Sequence, residues 1–269
     1  MRFCVLGSGS RGNATFVESG RTRLLIDAGF SGREIERRLA SIGVEAESLA
    51  AILITHEHSD HVRGAAILSR RYRLPVFANE ATVAAAGPAL AKLHEHRLFA
   101  TGDTFLFQDL SIHPYRISHD AADPVGFLVS GNGLVLGYCT DTGAVSRLMQ
   151  HRLGNCHGLV LECNHDPDLL RCGPYPPALQ QRVRSRTGHL ANHEAADFLC
   201  SILHDGLEHV VLSHLSETNN RPDMAREAVC GLLATRLRER GANGLGPVIS
   251  LACQERVGEL VLLTGGECR

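Results

Sequence analysis

The sequence predicts an α/β (α+β) fold in which two β-sheets pack face to face and helices cover both outer surfaces. Two observations support this fold class. Short β-like runs and helical segments recur in two similar halves of the 269-residue chain. No interdomain linker or short-period repeat interrupts this layout, so residues 1–269 are predicted to form a single layered domain.

The first half opens on three β-like runs separated by glycine-rich turns, the pattern of an antiparallel meander. A helix is predicted next, with Ser31 as its N-cap, Glu34 in the capping-box position and Gly43 at its end. A buried strand, a helix, a further strand and a further helix complete this half. In chain order the segments are MRFCVLGSG, ATFVES, TRLLIDAG, SGREIERRLASIG, LAAILI, VRGAAILSRRY, PVFAN and NEATVAAAG.

The second half returns to strands over residues 103 to 139, with a turn at Gly131-Asn132-Gly133. Helices and strands then alternate, and Asn192 is the predicted N-cap of the second of these helices. The stretch from Asp166 to about Gly188 is predicted to be irregular. The remaining segments are AVSRLMQHRL, GLVLECN, NHEAADFLCSILHDG, EHVVLSHLS, PDMAREAVCGLLATRLRERG, VISLACQER and ELVLLTG.

The composition limits the kinds of partner that the chain is expected to bind. The formal net charge is -2, so a polyanion would have to bind through a local basic patch. No apolar stretch has the length of a membrane span, and the N-terminus is a poor match to a signal peptide, so no membrane partner is expected. Nine cysteines, an odd number without a CxxC pair, favour reduced thiols and a cytoplasmic location.

Residues 54–61 read ITHEHSDH and follow a run of aliphatic residues. His56 and His58 point the same way in an extended segment, while Asp60 and His61 fall where the chain turns into a helix. Imidazole and carboxylate ligands suit zinc, manganese or iron, and their clustering without cysteine favours a hydrolytic site over a structural zinc site. The alternative for this octet is a solvated polar turn.

Similar side chains follow other predicted strands, which weakens that alternative. Asp27 ends LLIDAG, His119 follows SIHPYRIS, Asp141 ends GLVLGYCTD and His214 ends EHVVLS. Loops at strand ends commonly line the site of a sheet-based fold. Each of these residues can therefore bring one ligand to a common rim.

The segment HEHSDH resembles the HxHxDH signature of the metallo-β-lactamase superfamily, whose members fold as four-layer αββα sandwiches. The other strand-end candidates follow the order of that family's motifs. The resemblance implies two divalent metal ions per chain, zinc or manganese, with iron as a third option. One ion would be bound by His56, His58, His119 and Asp141, and the other by Asp60, His61, Asp141 and His214.

The resemblance also implies individual roles. Asp141 would bridge the two ions, which together acidify a bridging water to hydroxide. Asp60 would hold metal and orient that water, which makes it a catalytic residue. Asp27 would accept a ring N–H from a ligand histidine and fix its tautomer.

Further stretches resemble the YycJ-like branch of the superfamily, whose members are relatives of the β-CASP nucleases and are regarded as exonucleases. These stretches are LGSGSRGNATFVES, ECNHD, GHLAN and LSHLSETNN. The interval between Asp141 and His214 is already filled by predicted core elements, so the β-CASP cap domain has no room and a more open site is expected. The resemblance implies a dinuclear metal-dependent phosphodiesterase, an exonuclease with DNA as its nucleic-acid substrate.

Two other functions are compatible with the same residues. A small-molecule hydrolase of this fold would act on a thioester, a lactone or a phosphodiester metabolite. A non-catalytic binding module would keep the metal ligands without turnover. Assays on DNA, thioester and lactone substrates separate these hypotheses.

Residues outside the metal signature are candidates for substrate contact. His189 lies in a Gly-His setting similar to one that touches substrate phosphate in the nuclease relatives, which implies a catalytic role. Arg182, Arg184 and Arg186 precede it and could guide a phosphate backbone, although a run of charges is more often a solvated face. The roles of His165 and Glu162 are left open between supporting a ligand and filling the core.

Overall fold

A computed structural model describes residues 1–239 and 246–266 of the chain. The chain divides into two compact units. The first comprises Met1–Arg116, Ala121–Gly133 and Ala252–Leu262, and the second Ile117–Asp120, Leu134–Leu251 and Leu263–Arg269. The single domain over residues 1–269 stays a prediction. Arg240 and Gly241, at the end of the last predicted helix, lie outside the described residues.

Strands and helices of the described residues are numbered in chain order. The strands are β1 (Arg2–Gly7), β2 (Ala14–Ser19), β3 (Thr22–Ile26), β4 (Ala51–Leu53), β5 (Pro75–Ala78), β6 (Glu95–Leu98), β7 (Phe105–Phe107), β8 (Leu110–Arg116), β9 (Val125–Gly131), β10 (Leu134–Cys139), β11 (Gly158–Glu162), β12 (His209–Ser213), β13 (Val248–Leu251) and β14 (Val261–Leu262). The helices are α1 (Gly32–Ser41), α2 (Ser59–Val62), α3 (Ala65–Tyr72), α4 (Glu80–Ala86), α5 (Arg147–Leu153), α6 (Pro167–Cys172), α7 (Pro177–Val183), α8 (Asn192–Ser201) and α9 (Pro222–Glu239). Within the described ranges, no helix has both the length and the apolar character that crossing a bilayer requires.

The first unit contains a sheet with the strand order β14-β1-β2-β3-β4-β5-β6. Strands β14, β1, β2 and β3 pair antiparallel, which confirms the predicted meander. Strands β3 to β6 pair parallel. Parallel neighbours need crossover connections, and α1 to α4 supply them in sequence. The loop between β4 and α2, which contains most of the octet, therefore lies at the carboxyl edge of the parallel strands.

The first unit also contains β7, β8 and β9, which pair antiparallel. In the second unit β10 to β13 pair parallel, and α5 to α9 fall in the crossovers between them. Asp141, Glu162 and His214 lie at or just after the carboxyl ends of β10, β11 and β12. Side chains at such ends meet at one edge of a parallel sheet, the usual place for a ligand in an open α/β sheet.

The core of the first unit forms where apolar strands meet amphipathic helices. Every residue of Ala51–Leu53 and Pro75–Ala78 is buried, as expected of parallel strands that are covered on both faces. Helix α1 places Ile35 and Leu39 on one face, and both are fully buried in the same apolar cluster as Ile52. This packing fixes the strands whose ends bear the polar octet.

The prediction of irregular structure from Asp166 onward was wrong, because α6 and α7 lie in that stretch. The Asp166 carboxylate caps α6 by accepting hydrogen bonds from the backbone N–H groups of Asp168 (3.0 Å) and Leu169 (2.9 Å). Pro167 and Pro177 are the first residues of α6 and α7. Proline suits this position because its φ is preset and the missing N–H has no helical partner there.

One smaller prediction also fails, and one strand was missed. Asn192 is the first residue of α8 and not its N-cap, which is Ala191. The Asn192 amide instead exchanges hydrogen bonds with the Asn220 amide at 2.9 and 2.8 Å, so this side chain ties two loops together. Strand β6 was not predicted, because its mostly exposed sequence EHRL has no apolar alternation.

Helix α1 is anchored by a buried arginine. The Arg38 guanidinium donates to the backbone carbonyls of Leu6 (2.6 Å) and Gln254 (3.0 Å) and to the Glu34 carboxylate (2.6 Å). It also lies over the Phe30 ring, 4.1 Å from the ring centroid. Its side chain is only 4% exposed. Arg38 thus links α1 to β1 and to the segment that contains Gln254.

We predict that Arg38→Ala lowers the free energy of unfolding by about 2–3 kcal/mol, because buried carbonyl acceptors lose their donors. Arg37→Ala is the matched control, since Arg37 binds the same Glu34 carboxylate from an exposed position and exposed ion pairs contribute little. Urea unfolding of both variants measures the difference. Equal shifts of the two midpoints would show that Arg38 is not an anchor.

Candidate metal centre

Three candidate residues at strand ends have unusual backbone conformations. Asp27, Asp141 and His214 follow β3, β10 and β12 and have φ angles of 60°, 58° and 56°. Left-handed backbone is uncommon for residues other than glycine and costs roughly 1–3 kcal/mol. Such strain clusters at functional sites. Backbone conformation and side-chain type therefore both indicate that these three positions belong to a functional site.

The octet of the first unit brings four candidates together, which we call the octet cluster: His56, His58, Asp60 and His61. The rings of His56 and His61 are fully buried with centroids 4.0 Å apart. His56 Nε2 lies 3.0 Å from His58 Nδ1. Asp60 Oδ2 lies 3.5 Å from His61 Nε2, and the Asp60 side chain is 20% exposed. The cluster therefore has buried imidazoles and a carboxylate that reaches solvent.

Asp27 supports this cluster from within the core. Its Oδ2 lies 2.8 Å from His61 Nδ1. The backbone N–H of Thr55 donates to Asp27 Oδ1 at 2.9 Å, and the Thr55 hydroxyl donates to Oδ2 at 2.9 Å. Burial raises the pKa of Asp27, while the contact with His61 opposes that rise. The Nδ1 contact orients the ring so that Nε2 is the nitrogen for a metal, which is the geometry expected of a supporting carboxylate.

Asn13 is a site residue that sequence reasoning missed. It is fully buried, and its Nδ2 lies 3.1 Å from His61 Nε2 and 3.3 Å from Asp60 Oδ2. Its Oδ1 accepts hydrogen bonds from the Ser8 hydroxyl and the Gly9 N–H, both at 2.9 Å. An asparagine in a glycine-rich loop reads as a turn residue, so the sequence signal was ambiguous.

The second unit contains further candidates, which we call the Glu162 cluster: His119, Asp141, Glu162, His189 and His214. Ligand atoms of the last four converge to within 4.8 Å of one another. His119 Nδ1 lies 3.3 Å from the Gly188 carbonyl, and His119 Nε2 lies 3.9 Å from Asp141 Oδ1. His119 therefore turns Nε2 toward the bridging-ligand candidate.

Glu162 is the centre of this cluster. Its Oε1 lies 2.7 Å from His189 Nδ1 and 3.0 Å from His214 Nδ1. Its Oε2 accepts hydrogen bonds from the backbone N–H groups of Thr142 (2.7 Å) and Leu190 (3.3 Å). Burial alone would raise the pKa of Glu162, but the two histidines hold that pKa well below its usual range. Glu162 is thus a buried carboxylate that orients both rings, a role the sequence left open.

The donor chemistry of both clusters fits divalent metal ions. Each cluster offers imidazole nitrogen and carboxylate oxygen, which suit zinc, manganese and iron. Each also contains a histidine whose Nδ1 is held by a buried carboxylate, His61 by Asp27 and His214 by Glu162. Metal-ligating histidines characteristically have such a partner on the second ring nitrogen.

The three predicted substrate-binding arginines are exposed. Arg182 Nε lies 3.2 Å from Asp120 Oδ2. The Arg186 carbonyl accepts a hydrogen bond from the Ser118 hydroxyl at 2.7 Å. Arg184 lines a polar cavity at the start of α8. Arg182 and the backbone of Arg186 thus contact the loop that contains His119, and the binding role of the three arginines stays a prediction.

Comparisons with known proteins agree on one family. A model of the beta-lactamase superfamily domain matches residues 22–215. The exodeoxyribonuclease YycJ of Bacillus anthracis is 37% identical over 235 residues, which cover 87% of this chain and 89% of that protein. The exodeoxyribonuclease WalJ of Streptococcus pneumoniae is 38% identical over 239 residues, which cover 87% of this chain and 88% of that protein.

The fold is also similar to a solved structure. The metallo-β-lactamase fold protein YhfI from Bacillus subtilis superimposes with a TM-score of 0.72 at 18% identity, over 96% of this chain and 99% of that one. At this identity the likeness concerns the fold alone. The predicted α/β fold of the metallo-β-lactamase type is thereby confirmed.

We predict that Glu162→Gln lowers zinc affinity by about 10- to 100-fold, because the neutral amide orients His189 and His214 less strongly. Titration against a chromophoric chelator measures the affinity. Glu227→Gln, an exposed change on α9, is the matched control. Equal zinc affinity in the two variants would remove Glu162 from the metal centre.

Proposed function

The chain belongs to the β-lactamase superfamily, as its sequence predicted, and on that premise we propose that it is a metal-dependent exonuclease that hydrolyses phosphodiester bonds in DNA. The observation that carries the proposal is the similarity of 87% of the chain to two proteins named exodeoxyribonuclease. The family match over residues 22–215 also contains both clusters. The chemistry of those clusters is that of a metal-dependent hydrolase.

The proposed centre holds two divalent ions, zinc or manganese, with iron as a third option. One ion is assigned to His56, His58, His119 and Asp141, and the other to Asp60, His61, Asp141 and His214. When bound, the two ions would supply Lewis acidity and activate a water molecule as the nucleophile near neutral pH. The carboxylate contacts of His61 and His214 support this assignment, because a carboxylate at Nδ1 leaves Nε2 of each ring to bind a metal ion.

The chain's own residues complete the proposed chemistry. Asp60 is partly exposed, so its carboxylate can accept a hydrogen bond from the attacking water and hold it in line. His189 is 21% exposed and donates Nδ1–H to Glu162 Oε1 at 2.7 Å. That contact orients the ring and leaves Nε2 to contact a phosphate of the substrate. Asp60 is thus proposed to act on the water, and His189 on the substrate.

The substrate is proposed to reach the site across the second unit. Arg182, Arg184 and Arg186 are exposed, and guanidinium groups bind phosphate oxygens well. With an overall charge of -2, the chain depends on such local cations to bind DNA. These arginines are the proposed path of the phosphate backbone.

A cytoplasmic location is proposed on the state of the cysteines. The eight within the described ranges are free thiols. Free thiols are typical of proteins in a reducing compartment.

We predict that purified protein with zinc or manganese digests end-labelled duplex DNA and that Asp60→Asn lowers this rate by about 100-fold or more, because the neutral amide no longer orients the water. Asp103→Asn, an exposed change in the same unit, is the control and should digest DNA like wild type. Metal content is measured beside activity for all three proteins.

Two results would contradict this proposal. Wild-type protein that hydrolyses a thioester or a lactone but leaves DNA and RNA intact would make the chain a small-molecule hydrolase. Normal DNA digestion by Asp60→Asn with a full metal content would show that Asp60 does not orient the water.

A further inference from the structure

A polar cavity lies in the second unit at the start of α8. Its volume is about 340 Å³, which is within the range of small-ligand sites. Its lining includes His165, Arg171, Arg184, Ala191, His193 and Glu194. Among the described residues, none of the metal-ligand candidates lines it, so it is distinct from the Glu162 cluster.

The start of α8 presents backbone donors to this cavity. Its N-cap is Ala191, whose side chain offers no hydrogen-bond acceptor. The N–H of Asn192 is taken by the His165 carbonyl at 2.9 Å. In the described part of the chain, the N–H groups of His193 and Glu194 have no acceptor. Such amides, together with the positive end of the helix dipole, favour a bound anion.

A buried histidine gives independent support. His165 is 2% exposed and lines the cavity, and its Nδ1 has no hydrogen-bond partner within the described ranges. Burial lowers the pKa of His165 to about 4, so the ring is neutral near pH 7 and either nitrogen can carry its hydrogen. A buried polar atom without a hydrogen-bond partner destabilises the fold. A ligand oxygen in the cavity would satisfy it.

The charges around the cavity favour an anion over a metal ion. Arg171 and Arg184 are exposed at its lining. Asp168 is engaged with the Arg171 guanidinium at 3.0 Å. Glu194 accepts the N–H of Ala191 at 2.8 Å. The acidic and histidine side chains here do not form a group with convergent ligand atoms in the part of the chain that the structure describes.

We propose that this cavity is a phosphate-binding subsite, in which the amides of His193 and Glu194, the His165 ring and the guanidinium groups of Arg171 and Arg184 hold one phosphate group. Its place in catalysis rests on the proposed function: Leu190 and Ala191 alone separate His189 from α8. A DNA strand held at the metal centre would put a neighbouring phosphate in the subsite. That phosphate is either a terminal monoester or an internal diester.

Binding of inorganic phosphate to the full-length protein tests the subsite without any nuclease assay. Calorimetric titration of wild type should find a site whose affinity falls about tenfold in Arg184→Gln and further in Arg171→Gln/Arg184→Gln, since each loses a charged hydrogen bond. Both arginines are exposed, so these variants should fold. Arg226→Gln, an exposed change on α9, is the matched control. Asp141→Ala tests whether the phosphate binds metal instead.

The outcomes are distinct. Phosphate binding that depends on the two arginines and survives in Asp141→Ala supports the subsite, even if wild type fails to digest DNA and the proposed function falls. Binding that is equal in the arginine variants and the Arg226→Gln control, or that is lost only in Asp141→Ala, overturns the subsite.

Digestion of DNA with different ends then shows whether the subsite binds a terminal or an internal phosphate. If Arg171→Gln slows digestion of strands with a terminal phosphate but not of strands with a terminal hydroxyl, the subsite takes the monoester. If it slows both equally, the subsite takes an internal diester.

Discussion

Buried carboxylates that orient imidazole rings are the interaction on which the rest of the candidate site depends. Asp27 holds His61 in the first unit, and Glu162 holds His189 and His214 in the second. A buried carboxylate is costly unless it is paired and hydrogen-bonded. Backbone amides therefore have to accompany each pair, and the loops after the strand ends supply them. The two units solve the same problem with different residues.

This requirement explains which parts of the molecule could be predicted from the sequence. Some features could be predicted because a short stretch of sequence is enough to recognise them. They are the meander, the parallel strands, and the strand-end histidines and aspartates, where an apolar run stops abruptly at a polar side chain. Glu162 also ends an apolar run, but its partners are distant in sequence, so the sequence left its role open. Asn13 reads as a turn residue, and α6 and α7 were missed because short proline-initiated helices have little apolar periodicity.

The two proposals about substrate share one physical basis. The chain has a small net negative charge, so affinity for a polyanion has to come from a few placed donors and not from the overall field. The exposed arginines before His189 and the amides at the start of α8 are such donors. They lie in the same unit as the Glu162 cluster and follow one another closely in sequence. A DNA strand bound along these donors would be recognised through its phosphates, so binding would depend on the DNA backbone and little on the base sequence.

We propose that the strand-end histidines and aspartates hold two divalent metal ions per chain. Anomalous diffraction from crystals grown with zinc or manganese tests it most directly, because it counts the ions and shows their ligands. We expect two peaks per chain, one bound by His56 and His58 and the other by His61 and His214, with Asp141 shared. A single peak, or peaks away from these histidines after saturation with either metal, would contradict it.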